Sequence, residues 1–227
     1  SGRVDAALPL LKESAELVVD LQGREHPEYA DNLQNYARTL QQAGLSPQAL
    51  PVHLKVLRIL DGLGDEGARK KPWVLLNLGE TLENLGRRED ALRSYQQALD
   101  LRRQQFPPGH IRLAEPLERL GRALGPSDPE VAEAVLREAL LIRRQYRPNR
   151  LSTQRLKLAL SRSLAEQGTP SSRAEAASLA REALSALEAR LGSEAPETRE
   201  ARELLERLRG SPKTSPSPPA DVRDDQG

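Results

Sequence analysis

The sequence predicts an all-α fold, an α-α superhelical solenoid of antiparallel helix pairs. Three observations carry that expectation. Apolar residues recur at helical spacing over most of the chain, short Gly- and Pro-containing turns interrupt them at regular intervals, and a 42-residue echo runs through the pattern. Ala49-Leu50-Pro51-Val52 repeats Ala7-Leu8-Pro9-Leu10 at that distance, and Leu33, Ala37, Leu40 and Gly44 return as Leu75, Gly79, Leu82 and Gly86. Leu117, Gly121 and Leu124 follow after another 42 residues. Such a period marks helix pairs that cannot bury their apolar faces alone and stack on their neighbours to do so.

The elements follow in order. Val4, Leu8, Leu11, Ala15, Val18 and Leu21 share one helical face. Gly23 ends that helix, and Pro27 opens the next at a favoured first-turn position. The second helix covers Tyr29 to Gln42 and stops at Gly44. Pro47 starts a third, carried by Leu50, Leu54, Leu57 and Leu60 and closed by the Gly62–Gly67 stretch. Pro72 is expected to open a fourth, Val74 to Leu85, closed by Gly86. A fifth runs from Arg88 to Phe106, where Pro107-Pro108-Gly109 breaks it. Helices are then expected over about 111–124, ended by Gly125-Pro126, and about 129–146, followed by Pro148. The last three cover about 152–167, stopped by Gly168, about 172–191, and about 196–209, with Pro196 in its first turn. Acidic residues at helix starts (Glu89, Asp90, Asp128, Glu130) and basic pairs at helix ends (Arg102-Arg103, Arg143-Arg144) complement the helix dipole. Those Arg pairs read as solvated helix ends rather than as a phosphate-binding stripe.

From Gly210 the character changes. Ser211-Pro212-Lys213-Thr214-Ser215-Pro216-Ser217-Pro218-Pro219 cannot bury a core and is expected to be disordered. Pro216 and Pro219 make a minimal PxxP, and Ser211, Ser215 and Ser217 each precede Pro, but a plain exposed tail is the expectation. The chain therefore divides into a helical array over 1–209 and a tail over 210–227.

Composition excludes several classes of function. The 227 residues carry 34 basic and 33 acidic side chains, a net charge of +1, so nothing draws the chain as a whole to nucleic acid. Aromatics are 3%, which leaves few stacking platforms for single strands and makes the core aliphatic. Without cysteine there are no disulfides, thiolate chemistry or Cys-based zinc sites. No run of 18 apolar residues exists for membrane insertion, and no signal-peptide pattern opens the chain. A cytoplasmic location is expected. The chain opens on Ser1 and contains no Met, so it reads as a segment of a longer protein. His26, His53 and His110 fall in different units, without the spaced carboxylates of a metal site, and no P-loop, G-x-S-x-G or H-E-x-x-H is present. Neither catalysis in this segment, nor a metal, nor a cofactor is expected.

Within each unit the first helix carries large, small and large apolar residues, and the second carries Ala, a larger residue four on, and a small or medium one three further. The clearest set is Leu75, Leu78-Gly79 and Leu82, then Ala91, Tyr95 and Ala98. Gly costs about 1 kcal/mol of helix propensity against Ala, so Gly79 in mid-helix argues for close helix packing. Matching sets are Leu33, Tyr36-Ala37, Leu40, Ala49 and Val56; Leu117, Leu120-Gly121, Leu124, Ala132, Leu136 and Ala139; and Leu160-Ser161, Leu164, Ala176, Ala180 and Ala183. This pattern resembles the tetratricopeptide repeat (TPR) over about residues 3–209. Its 42-residue period and His26-Pro27 after a Gly resemble the kinesin-light-chain type rather than the usual repeat of about 34. The register gives a leading half unit (about 3–22), units at about 27–64, 72–106, 110–146 and 152–191, and a closing helix at about 196–209. Departures are His53 in place of an aromatic or aliphatic residue, a third unit one residue short, Ser161 at a small position, and Thr169-Pro170-Ser171-Ser172 inserted between helices.

The resemblance implies a protein-interaction module, a scaffold or adaptor, whose first helices line a concave groove. The groove positions are Asn35, Arg38, Asn77, Glu80, Arg119, Arg122 and Arg162. Asn35 and Asn77, 42 apart, could hold a peptide backbone because an amide both donates and accepts. The arginines could pair with acidic side chains or a C-terminal carboxylate, so a protein or peptide partner, an acidic one included, is expected. Some TPR domains grip acidic chaperone C-termini with Lys, Asn and Arg. Only Asn77 and Arg119 match that set, while Gln34 and Glu115 stand where Lys is wanted, so that activity is not expected. Two other readings remain: a regulatory or substrate-recruiting arm of a larger signalling enzyme such as a kinase or NTPase, or a self-assembling array. A monomeric array is the expectation.

Overall fold

The computed structural model describes residues 2–125, 127–146 and 150–210, and their side chains except at 2–6, 15 and 22. Pro126, Pro148 and residues 211–227 of the expected disordered tail lie outside these residues, whereas Gly210, expected to begin that tail, is the last residue of the final helix. Among the described residues there are ten α-helices, one 3₁₀ turn and no strand. The helices are α1 (Gly2–Gln22), α2 (Pro27–Gln42), α3 (Ser46–Gly62), α4 (Gly64–Asn84), α5 (Arg88–Gln105), α6 (Ala114–Leu124), α7 (Pro129–Tyr146), α8 (Leu151–Gln167), α9 (Pro170–Leu191) and α10 (Pro196–Gly210), with the 3₁₀ turn at Ile111–Leu113 ahead of α6.

Each helix packs against the next in sequence, and α2 against α4 and α8 against α10 pack one helix further on. That alternation puts α2, α4, α6, α8 and α10 on one wall and α1, α3, α5, α7 and α9 on the other. Leu117, Leu136, Leu156 and Leu160 are buried in the central cluster, which runs from α4 to α9. Tyr29, Leu33, Val56, Leu60 and Val74 form a second cluster, and Leu158, Leu187, Leu204 and Leu205 belong to a third that seats α10. Each fully buried Leu contributes about 1.5–3 kcal/mol, enough to hold polar-faced helices that would not persist alone.

The small positions lie where the two helices of a unit meet. A Cβ on Gly79 would overlap the Tyr95 ring, and one on Gly121 would stand 2.6 Å from Leu136 Cγ. Ser161 fits its unit differently: its buried hydroxyl donates to the Ala176 carbonyl at 2.7 Å. Gly44 and Gly86 end α2 and α4 with positive φ (75° and 73°), a conformation that other residues adopt at a cost.

Two boundaries differ from the sequence expectation. First, α4 begins at Gly64, not at Pro72, so Pro72 lies inside the helix. Proline has no N–H for the carbonyl four residues earlier. Here the Gln105 side-chain amide donates to that carbonyl, Ala68, at 2.7 Å, and the helix continues. Second, Thr169-Pro170-Ser171-Ser172 is not a separate insertion. Thr169 caps α9, its hydroxyl accepting from the Ser172 N–H at 3.1 Å, and Pro170 is the first helical residue.

Candidate functional site

The groove residues come from the first helices, whose register puts equivalent side chains on one wall every 42 residues. Asp31, Trp73 and Glu115 form one row, Asn35, Asn77 and Arg119 the next, and Arg38, Glu80 and Arg122 a third. α4, α6 and α8 enclose a cleft of about 530 Å³. Four of the seven expected residues line it: Glu80, Arg119, Arg122 and Arg162. A smaller cleft of about 340 Å³, sharing Arg122 and Arg162, continues it to Glu197 and Glu200 on α10. Asn35, Arg38 and Asn77 do not line either cleft. Asn35 and Arg38 are exposed on α2, whereas Asn77 is buried, with its Nδ2 lacking a hydrogen-bond partner.

The arginines of the cleft are not bare cations. Arg119 meets Glu80 at 3.0 Å and Glu115 at 4.0 Å. Burial alone would lower the Arg119 guanidinium, but Glu80, Tyr95 and Glu115 outweigh it and hold it above its ordinary value. Arg122 lies 3.9 Å from Glu118, a carboxylate already held by Arg143 at 2.6 Å, and Arg162 pairs with Glu200. Burial, with repulsion from Arg122 and Arg207, lowers Arg162. The cleft therefore presents alternating charges rather than a cationic stripe. Such a surface can exchange its internal ion pairs for a partner's charged side chains at modest cost, since the pairs are part-exposed.

Sequence reasoning missed Glu83, Asn84, Ser163 and Glu166, which also line the cleft. Glu83 follows Glu80 by one turn, so helical spacing could have found it. Its role could not have been foreseen, because the Tyr95 hydroxyl from α5 donates to the Glu83 carboxylate at 2.6 Å. Burial first, then that carboxylate, pushes the Tyr95 phenol above its ordinary range. The tyrosine thus fills the space Gly79 leaves and fixes a charge at the cleft.

The three histidines have local tasks. His26 and His110 cap helix starts, their Nδ1 atoms accepting from Glu28 N at 3.3 Å and Arg112 N at 3.2 Å. His53 holds the position that Tyr95 holds one unit later. It is fully buried, its Nδ1 is 3.2 Å from Gln34 Oε1, and burial lowers its pKa to about 4. Among the described residues no group of three or more His, Asp or Glu side chains could hold a metal ion, and no helix is long and apolar enough to cross a membrane.

The sequence model of the tetratricopeptide repeat matches residues 1–61 and 71–145. Among solved structures, a putative kinesin light chain from Podosopora anserina, with nearly identical TPR-like repeats, is similar at 17% identity and a TM-score of 0.64, over 92% of this chain and 90% of that one. BtubC (BKLC) from P. vanneervenii is similar over 99% of both chains, at 14% identity and a TM-score of 0.59. A Rap protein complexed with competence and sporulation factor is similar at 11% identity and a TM-score of 0.60, over 91% of this chain and 58% of that one. At such identities the likeness is one of fold. No curated protein matches the sequence.

Proposed function

Because this chain belongs to the tetratricopeptide repeat family, we propose that it is a protein-interaction module that holds a partner's extended segment or helix against its inner wall. The observation that carries this reading is the cleft of about 530 Å³ built from three successive first helices. A preformed surface of this kind loses little entropy on binding. A Rap protein of similar fold is complexed with competence and sporulation factor, which supports a scaffold that receives a ligand. In this reading Arg38 and Arg122 select acidic side chains, Glu80 and Arg119 re-pair around the segment, and Asn35 binds its backbone.

The test is selection of binders from a random peptide library on the immobilised chain, followed by calorimetry of the selected peptides. Arg38→Glu with Arg122→Glu should weaken binding at least tenfold without lowering the melting temperature. Affinity unchanged by that pair of substitutions would remove the groove assignment.

One observation favours self-assembly as a second reading. Leu10, Leu17 and Leu21 on α1 are 65%, 55% and 80% exposed at helical spacing. Light scattering after size exclusion distinguishes the two: a dimer that Leu17→Glu dissociates supports assembly, and a monomer supports the binding module.

A further inference from the structure

A separate cavity of about 250 Å³ lies between α2, α3, α4, α5 and the 3₁₀ turn. Asp31 and Trp73 border it, one helical turn before Asn35 and Asn77. Arg69, Lys70, Arg102 and Arg112 reach the same space. Its one carboxylate, Asp31, is engaged by Lys70 at 2.8 Å. Arg69, Arg102 and Arg112 have no ion-pair partner among the described residues, whereas Arg119, Arg122 and Arg162 on the same wall all do.

Part-buried Arg102 and exposed Arg112 are held together by the fold. Arg102 and Arg112 lie 5.7 and 6.0 Å from the centre of the Phe106 ring, which stacks on His110 at 4.4 Å. Arg102, expected from sequence to be a solvated helix end, is part-buried and donates to Gln105 Oε1 at 3.0 Å. Burial lowers it, Arg112 adds repulsion, and Glu115 only partly opposes both. A buried donor also goes unused: Gln34, 7% exposed, gives its Oε1 to His53 while its Nε2 has no partner. Like charges held together beside an unused donor cost free energy unless an anion spans them. Guanidiniums form paired hydrogen bonds to phosphate oxygens.

We propose that this cavity is a phosphate-monoester subsite, in which Arg69, Arg102 and Arg112 take the oxygens of a phosphorylated side chain and Gln34 supplies a further donor. Three guanidiniums without an ion pair suit a group of about −1.5 to −2 charge with three acceptor oxygens better than a monocarboxylate. The volume is below the roughly 300–1,000 Å³ of drug-sized sites and suits one modified side chain, whose stem would pack on the Trp73 indole. The subsite stands without the groove reading, because it requires only one phosphorylated side chain and no segment held along the inner wall.

Trp73 is the only tryptophan, so intrinsic fluorescence reports on this cavity. The full chain would be titrated, at constant ionic strength, with a capped tripeptide containing phosphoserine, with inorganic phosphate and with the glutamate tripeptide. The expected result is a saturable change in emission with the phosphoserine tripeptide, competed by inorganic phosphate and weakened at least tenfold by Arg112→Gln and by Arg69→Gln. Both residues are exposed, so the two substitutions should leave the melting temperature in place, and Arg181→Gln on the outer wall should leave binding unchanged. Any of four results would overturn the proposal: no saturable change, an equal response to the glutamate tripeptide, binding of inorganic phosphate alone, or full affinity in both variants.

Discussion

Gly79 and Tyr95 act as one unit at the level of single residues. The glycine removes a Cβ that would overlap the ring, the ring fills the gap, and its hydroxyl reaches Glu83. Gly79→Leu should therefore lower stability by about 3 kcal/mol or more in urea unfolding, since an overpacked close contact forces backbone shifts. A variant as stable as the parent would contradict the repeat register. His53 makes a different prediction. Its pKa is about 4 in the fold and 6.5 in the unfolded chain. Above about pH 6.5 neither state is protonated there, and this contribution to stability is complete. As pH falls from 6.5 towards 4 the unfolded chain takes up a proton that the folded chain does not, and stability is lost by up to about 3 kcal/mol. His53→Leu should lose less melting temperature between pH 7 and pH 5 than the parent. An identical loss in both would mean that other groups set the acid sensitivity.

Single elements depend on partners elsewhere in the chain. α4 continues through Pro72 only with its orphaned Ala68 carbonyl met by Gln105, which is 33 residues beyond the proline. Gln105→Ala should cost about 1–2 kcal/mol in the parent, the penalty of an unmet, part-buried acceptor. In a Pro72→Ala background the restored N–H bonds to Ala68, and the same substitution should cost roughly 1 kcal/mol less. Additive effects in that double-mutant cycle would show that the amide has no such role. α9 shows the opposite case, where Thr169 and Pro170 suffice locally to start the helix.

At the scale of the whole array, ion pairs link one unit to the next on both walls. Asp31–Lys70 (2.8 Å), Glu80–Arg119 (3.0 Å) and Arg155–Glu197 (2.6 Å) join first helices. Arg103–Glu138 (3.0 Å) and Arg137–Glu175 (2.7 Å) join second helices. They are part-exposed, so each contributes at most about 1 kcal/mol and sets stagger more than stability. Cohesion comes from the apolar clusters, and these are unequal: the N-terminal one is small, while the central one runs from α4 to α9. Repeat arrays open unit by unit, so amides of α2 and α3 should exchange with solvent well before those of α5 and α6. Uniform protection in hydrogen exchange would mean that the array opens as a single unit.

The sequence by itself determined ten helices, their order, the 42-residue register and the close approaches at Gly79 and Gly121. All of these are periodic and local, and apolar spacing, turn residues and small side chains record them directly. It placed Glu80, Arg119, Arg122 and Arg162 on the wall of the cleft for the same reason. Only the tertiary structure decided which of those charges are already answered. Glu80 and Arg119 are 39 residues apart, Arg162 and Glu200 are 38 apart, and whether they meet depends on how one unit is staggered against the next. Gln105 beneath Pro72 and the arginines gathered around Phe106 are likewise products of packing between units. A repeat pattern fixes what each unit exposes, and the stacking of units fixes what remains unpaired.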